Sequence, residues 1–159
     1  MSAQLKPHSV IARESFGEVI GEIMPLLEAH FLEIAHFQDI MLEPDFGRYK
    51  RAEQSGRLRI YTTRIDDRLV GYAVFVVDHA LHYASSLQAV QDVLYVAHEY
   101  RLTRLGLRLI RFCDAELKAE GVQVVYQHEK IAFPQLGRLL EFVGYTPVDR
   151  LWVRRLDGR

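Results

Sequence analysis

The sequence predicts an α/β chain with one central sheet and helices packed against it. Three observations carry that reading. Residues 91–121 pass from a strand (Asp92, Val93, Leu94, Tyr95, Val96) through a polar turn into a helix, with Leu105, Leu109, Ile110, Cys113 and Leu117 at helical spacing. Around this stretch the order is strand, helices, three strands, helix, strand, helix, strand. At 159 residues, 49% hydrophobic and 26% charged, the chain is expected to be one domain that buries a core without staples.

Residues 8–14 read as a short strand. Ser15 and Glu18 then form a capping box for a helix carrying Phe16, Val19, Ile20, Ile23, Leu27, Phe31 and Ile34. Pro25 is expected to kink that helix or divide it, because it has no N–H and clashes with the preceding turn. Residues 44–55 read as a short helix stopped by Gly56. Two strands follow, at 57–65 and 69–77, joined by a hairpin turn at Asp66, Asp67 and Arg68. The first alternates Leu58, Ile60 and Thr62 with Arg57, Arg59 and Tyr61; the second is nearly all apolar, as in a central strand covered on both faces. Residues 78–86 read as a polar, mobile connection. Beyond the helix stop at Gly121, 122–128 alternate as a strand, and 134–143 form a short helix with Pro134 at its start. Residues 145–156 complete the reading as a last strand broken near Pro147.

A strand that turns directly into a helix points free N–H groups and a positive dipole end at the junction, which suits a phosphate. Tyr100, Arg101, Gly106, Leu109 and Ile110, preceded by Leu94-Tyr95-Val96, resemble the acyl-CoA signature of the GNAT acyltransferase superfamily. In that family a strand, a turn reading Arg/Gln-x-x-Gly-x-Gly/Ala and a helix hold the pyrophosphate of acetyl-CoA. Arg101 takes the Arg/Gln place and Gly106 the second glycine, while Arg104 departs from the first. It either shifts the turn or adds its guanidinium to the phosphate. Residues 139–145, ending Gly144-Tyr145, are similar to the family's helix ending Leu-Tyr-Glu-x-x-Gly-Phe/Tyr. The wording at 92–96, 100–112 and 137–145 looks closest to members carried by tailed phages and prophages.

The resemblance implies a mixed sheet flanked by helices and an acetyl-CoA-dependent N-acetyltransferase acting on a primary amine by direct transfer. It sets the cofactor against Leu94, Tyr95 and Val96 and the run Arg101, Leu102, Thr103, Arg104, Leu105, Gly106 and Leu107, with no metal. Thr103 either caps the helix or meets a phosphate, and Arg108 and Arg111 are solvated or paired with Asp114. A backbone N–H near Tyr95 or Val96 polarises the thioester. The tyrosine that protonates the leaving thiolate in many members falls on Leu140, which has no proton to give. Another group or water then acts, or catalysis is lost and the chain is a binding module working through a protein partner.

Asp92 stands where some relatives carry an acidic base. Buried beside Val93 it would have a raised pKa suited to that work, or it is a structural partner near the strand. His128 either abuts the thioester or is a hydrogen-bonded bystander at a strand end, and Tyr126 is either an acid or packing. His30, Glu33, His36 and Asp39 shape an acceptor wall or end a helix in solvent. A metal there would need His30 and His36, six apart, on one helix face. Cys113 reads as a buried small hydrophobe, badly placed for a nucleophile.

The formal net charge of −1 argues against a broad nucleic-acid footprint, and so against a tRNA-directed toxin. One cysteine, no secretory h-region and no membrane-spanning apolar run point to a cytoplasmic protein. The acceptor, a small amine or a protein, is left open. Trp152 and Val153 on the last strand either pair two subunits as a homodimer or lie inside the sheet.

Overall fold

The computed structural model describes residues 8–158. Five strands form one sheet in chain order: β1 (Ser9–Arg13), β2 (Leu58–Ile65), β3 (Arg68–Ala80), β4 (Tyr83–Val96) and β5 (Val124–Tyr126). The first three pairings are antiparallel and β4–β5 is parallel, which makes the sheet mixed. The parallel pair follows from its connection, since helix α3 (Leu105–Ala119) carries the chain back over the sheet. Helices α1 (Phe16–Ile34) and α2 (Phe46–Gln54) precede β2, and α4 (Gln135–Val143) follows β5.

Apolar spacing decides which helix covers which face. Phe16, Val19 and Ile23 of α1 bury against Leu58, Ile60, Tyr72, Val74, Val93 and Tyr95. Leu109, Cys113 and Leu117 of α3 bury on the other side with Tyr61, Ala73, Phe75, Val77 and Ala89. The β2–β3 turn places Asp66 and Asp67 at φ 47° and 64°, the two-residue turn whose twist matches a hairpin. Ser15 and Glu18 close the start of α1, with the Ser15 amide 3.1 Å from the Glu18 carboxylate.

Four sequence expectations are corrected. Of the two outcomes expected at Pro25, division does not occur: α1 runs unbroken, and both Pro25 and Gly21, whose carbonyl loses its donor, lie on the exposed side. Strand β2 is buried on both faces through Thr63, because Tyr61 packs under α3 against Phe112 at a centroid separation of 6.0 Å. The connection at 78–86 is a continuous hairpin, with Asp78 opposite Gln88 and His79 opposite Leu87. Ladder bonding needs no apolar side chains, which is why polarity misled there.

The last strand is absent: residues 145–156 join no ladder among the described residues. Tyr145 is held by its hydroxyl on Asp114 (2.5 Å), and Arg155 by Asp39 (2.9 and 2.6 Å) and the Phe37 ring (5.2 Å). Between these anchors Pro147 lacks a ladder donor, and Trp152 is 87% exposed rather than inside a sheet.

Glu120, at the end of α3, ties that helix to β1 and β2 through Arg13 (3.0 Å) and Arg59 (2.6 Å). Hydrogen bonds from Arg59 hold its carboxyl below the ordinary value of 4.5. Its contribution to stability is therefore fully present above pH 4.5 and is lost as pH falls through the lower folded value. Glu120→Gln should flatten that acid limb of a Tm-against-pH curve and lower Tm near neutrality.

Candidate active site

The site forms where β4 outruns its neighbour. Val74 faces Val93 and Phe75 faces Gln91, so Asp92 is the extra residue of a bulge in β4. Pairing with β5 stops at Val90 opposite Tyr126. At the apex the buried Gln91 side chain accepts the His128 amide at 2.7 Å. Past it, the outer edge of β4 has no strand beside it among the described residues. The Ala97 amide bonds back to Val70 O at 2.8 Å. Strand alternation therefore turns the Tyr95 amide toward β3 and the Leu94 and Val96 amides outward into the opening.

The chain next makes a single 3-10 turn at His98–Tyr100 and enters α3. Thr103 builds the entry: its hydroxyl donates to Tyr100 O (2.6 Å) and accepts the Leu105 amide (3.2 Å). From one position before the N-cap, Arg104, Thr103 thus satisfies the first amide of the helix. The amides of Leu102, Arg104, Gly106 and Leu107 have no partner among the described residues, and no acidic side chain sits in the first turn. Three of these unpaired donors sit at the positive end of a 15-residue helix and the fourth, Leu102, in the turn that leads into it, a setting that suits an anion. They fit a nucleotide diphosphate. A Cβ at Gly106 would lie 3.7 Å from Leu139 and 4.0 Å from Val96, so the folded protein itself has room for a side chain there.

Arg101 has protein partners of its own. Its guanidinium is bidentate to Glu33 at the end of α1 (2.5 and 2.7 Å), lies 5.3 Å from the Tyr95 ring centroid, and donates Nε to Val96 O at 2.8 Å. All three guanidinium nitrogens are thus engaged by Glu33 and Val96, and the Arg101 amide bonds His98 O at 3.3 Å. Its hydrogen bonds hold the Glu33 carboxyl below the ordinary range. His30 packs on Tyr95 with centroids 4.9 Å apart, and burial depresses its pKa to about 4, so it is neutral at physiological pH. His36 lies beyond the end of α1 against Phe37, so the histidine–acid cluster is dispersed. Among the described residues no three His, Cys, Asp or Glu converge as a metal site. Arg108 and Arg111 are both exposed, the first meeting Ser9 and the second lying over Phe142, so of the two expectations the solvated one holds; Asp114 takes the Tyr145 hydroxyl instead.

Asp92 is exposed, not buried, because the bulge turns it toward α2, where the Tyr49 hydroxyl donates to it at 2.9 Å. Burial, then the neighbouring Asp92 charge, pushes the Tyr49 hydroxyl up and keeps it a donor. His128 is exposed at the apex, its amide tied to Gln91. Tyr126 pairs opposite Val90 and is partly exposed. Leu140 is buried. Tyr126 thus sits at the last paired position of β4 and β5, His128 two residues on, and Asp92 in the bulge next to Gln91. Tyr49 and Gln91 were not singled out from sequence. Tyr49 read only as helical spacing, and Gln91 had no signal beyond a polar residue opening a buried strand. Cys113 is buried under α3 with its thiol pushed up by burial, away from the opening.

Residues 23–145 match the family model described as Acetyltransferase (GNAT) family. No curated protein matches the chain by sequence. Solved structures share its fold. An aminoglycoside acetyltransferase, meta-AAC0020, from an uncultured soil metagenomic sample superposes with TM-score 0.75 at 14% identity, covering 95% of this chain and 97% of that one. The ribosomal-protein-alanine N-acetyltransferase of Brucella melitensis gives 0.72 at 17% identity, covering 94% and 99%. Aminoglycoside N-acetyltransferase AAC(6')-Iy in complex with CoA gives 0.74 at 13% identity, covering 98% and 99%.

Proposed function

The chain belongs to the acetyltransferase (GNAT) family, and from that membership we propose that it moves an acetyl group from acetyl-CoA directly to a primary amine. The observation that carries this reading is the set of unpaired amides at Leu102, Arg104, Gly106 and Leu107, beside the open edge of β4. Those amides grip the diphosphate, aided by the exposed Arg104 guanidinium, with Thr103 and Leu105 holding the turn. The Leu94 and Val96 amides point at the acyl oxygen and stabilise the charge that grows there, while Tyr95 forms a wall.

Bound acetyl-CoA supplies an acyl carbon activated by its thioester. Asp92, oriented by the Tyr49 hydroxyl, takes the proton from the acceptor ammonium so that nitrogen can attack. The proton that the leaving sulfur needs would come from His128 or Tyr126, both exposed at the end of the β4–β5 pairing. The absence of a reachable nucleophilic cysteine favours direct transfer over a covalent enzyme intermediate. The exposed Trp152 and Val153 suit pairing of two copies. Kinship with the phage-borne branch rests on the sequence wording alone.

A second reading, a CoA-holding module that acts through a protein partner, is favoured by Leu140, buried and apolar at the family's proton-donor place. Thiol release from acetyl-CoA over a panel of aminoglycosides, alanine-terminated peptides and small polyamines separates the two. Transfer predicts release that depends on one amine class and falls on the order of 10²-fold or more in Asp92→Asn. Tight CoA binding with no amine-dependent release supports the module.

A further inference from the structure

We propose that Arg101, paired with Glu33, is a positioning residue for the acyl-polarising edge of β4 and not a ligand of the diphosphate. The inference rests on the acetyl-transfer reading for its catalytic consequence, but the clamp itself is a property of the protein alone.

Past the apex, β4 has lost its neighbour, and each outward residue presents both an N–H and a C=O to the opening. For Val96 the two have opposite value. The amide attracts an acyl oxygen, whereas the carbonyl lone pairs on the same edge repel it. Arg101 Nε covers that carbonyl at 2.8 Å and leaves the amide free. The peptide joining Val96 to Ala97 is then gripped on both sides, by Arg101 on the carbonyl and by Val70 O on the Ala97 amide at 2.8 Å.

The rest of the guanidinium is committed to holding this pose. Two of its nitrogens meet the two Glu33 oxygens at 2.5 and 2.7 Å, a planar fork that lysine cannot reproduce. The Tyr95 ring lies beneath it at 5.3 Å, and His30, three residues before Glu33, packs on the same ring. Side-chain exposures of 33% for Arg101 and 29% for Glu33 mark a half-buried pair. Turning Arg101 toward a phosphate would strand the Glu33 carboxylate and uncover Val96 O, a cost that the four free amides make unnecessary. The pair thus joins the end of α1 to the strand edge where the chemistry takes place.

The test uses the full chain with Arg101→Lys, Arg101→Gln and Glu33→Gln. CoA affinity is read by calorimetry, kcat and KM with the best acceptor, and backbone amide exchange by NMR. All three variants are expected to hold CoA within about twofold of wild type and to keep KM for acetyl-CoA, while kcat falls about tenfold or more. Arg101→Lys, which keeps the charge, should not rescue. In Arg101→Gln without ligand, Ala97 amide exchange should speed up about tenfold while amides in the middle of β3 keep their protection. A tenfold loss of CoA affinity with kcat intact would overturn the proposal in favour of a phosphate ligand. A lower Tm with kcat and Ala97 exchange unchanged would reduce the pair to a structural tie and also overturn it. If wild type binds no CoA, the acetyl-transfer reading fails, and Ala97 exchange still decides the clamp.

Discussion

Gly106→Glu should weaken CoA binding severely while leaving the fold as stable as before or more so. The two halves of this expectation have opposite causes. Position 106 lies in the first turn of α3, where a carboxylate meets unpaired amides and a positive dipole end, worth about 0.3–1 kcal/mol. Replacing glycine inside a helix adds a further gain of several tenths of a kcal/mol. The new Cβ fits, with Leu139 the nearest side chain at 3.7 Å. The same carboxylate occupies the donors that a diphosphate would use and repels its charge. Affinity should fall about 100-fold or more, roughly 2.7 kcal/mol, with Tm unchanged or higher. Gly106→Ala separates charge from bulk: it should share the gain in Tm and lose far less affinity. A variant that binds CoA normally at higher Tm would move the diphosphate elsewhere.

Gly71→Ala should damage stability and turnover together. Glycine is needed at 71 for close approach, not for an unusual backbone angle. A Cβ there would sit 2.8 Å from Tyr95 O, 2.9 Å from Thr63 Cγ2 and 3.1 Å from Val96 Cγ2. The first contact is backbone, so β4 must move away from β3 at the residues that aim the Val96 amide. Overpacking of this kind costs about 1–3 kcal/mol, a Tm lower by several degrees in a domain of this size. Because the displaced backbone carries the polarising amide, kcat should fall more than tenfold, with CoA affinity changed much less. Thermal unfolding and steady-state kinetics of one preparation check both. Unchanged kcat in a destabilised variant would uncouple this strand crossing from catalysis.

The sequence made the sheet and its helices legible wherever a pattern met its physical cause. The α3 positions Leu105, Leu109, Ile110, Cys113 and Leu117 are all buried, and the Ser15–Glu18 box starts α1 as spacing requires. The free amides of the turn were readable because a strand that leads through a short turn into a helix exposes donors whatever its side chains. Side-chain allegiance was not readable. Nothing in the sequence joins Arg101 to Glu33, which is 68 residues distant and is brought near only by α1 crossing the sheet. Asp92 looked buried because a bulge leaves no mark in composition, and one extra residue reverses the direction of a side chain. The segment 145–156 has the apolar and β-branched content of a strand, yet content cannot say whether a neighbouring edge receives it. Arg155 instead pins its far end to Asp39 and Phe37.

The most direct measurement is a titration of the ¹⁵N-labelled protein with CoA, following individual amides. Hydrogen bonds to a diphosphate should move the Leu102, Arg104, Gly106 and Leu107 resonances downfield together, saturating at one stoichiometry. The Thr103 and Arg108 amides, already bonded within the turn, should shift little. Saturable binding that leaves those four resonances in place, or no binding with acetyl-CoA in excess, would contradict the account at its root.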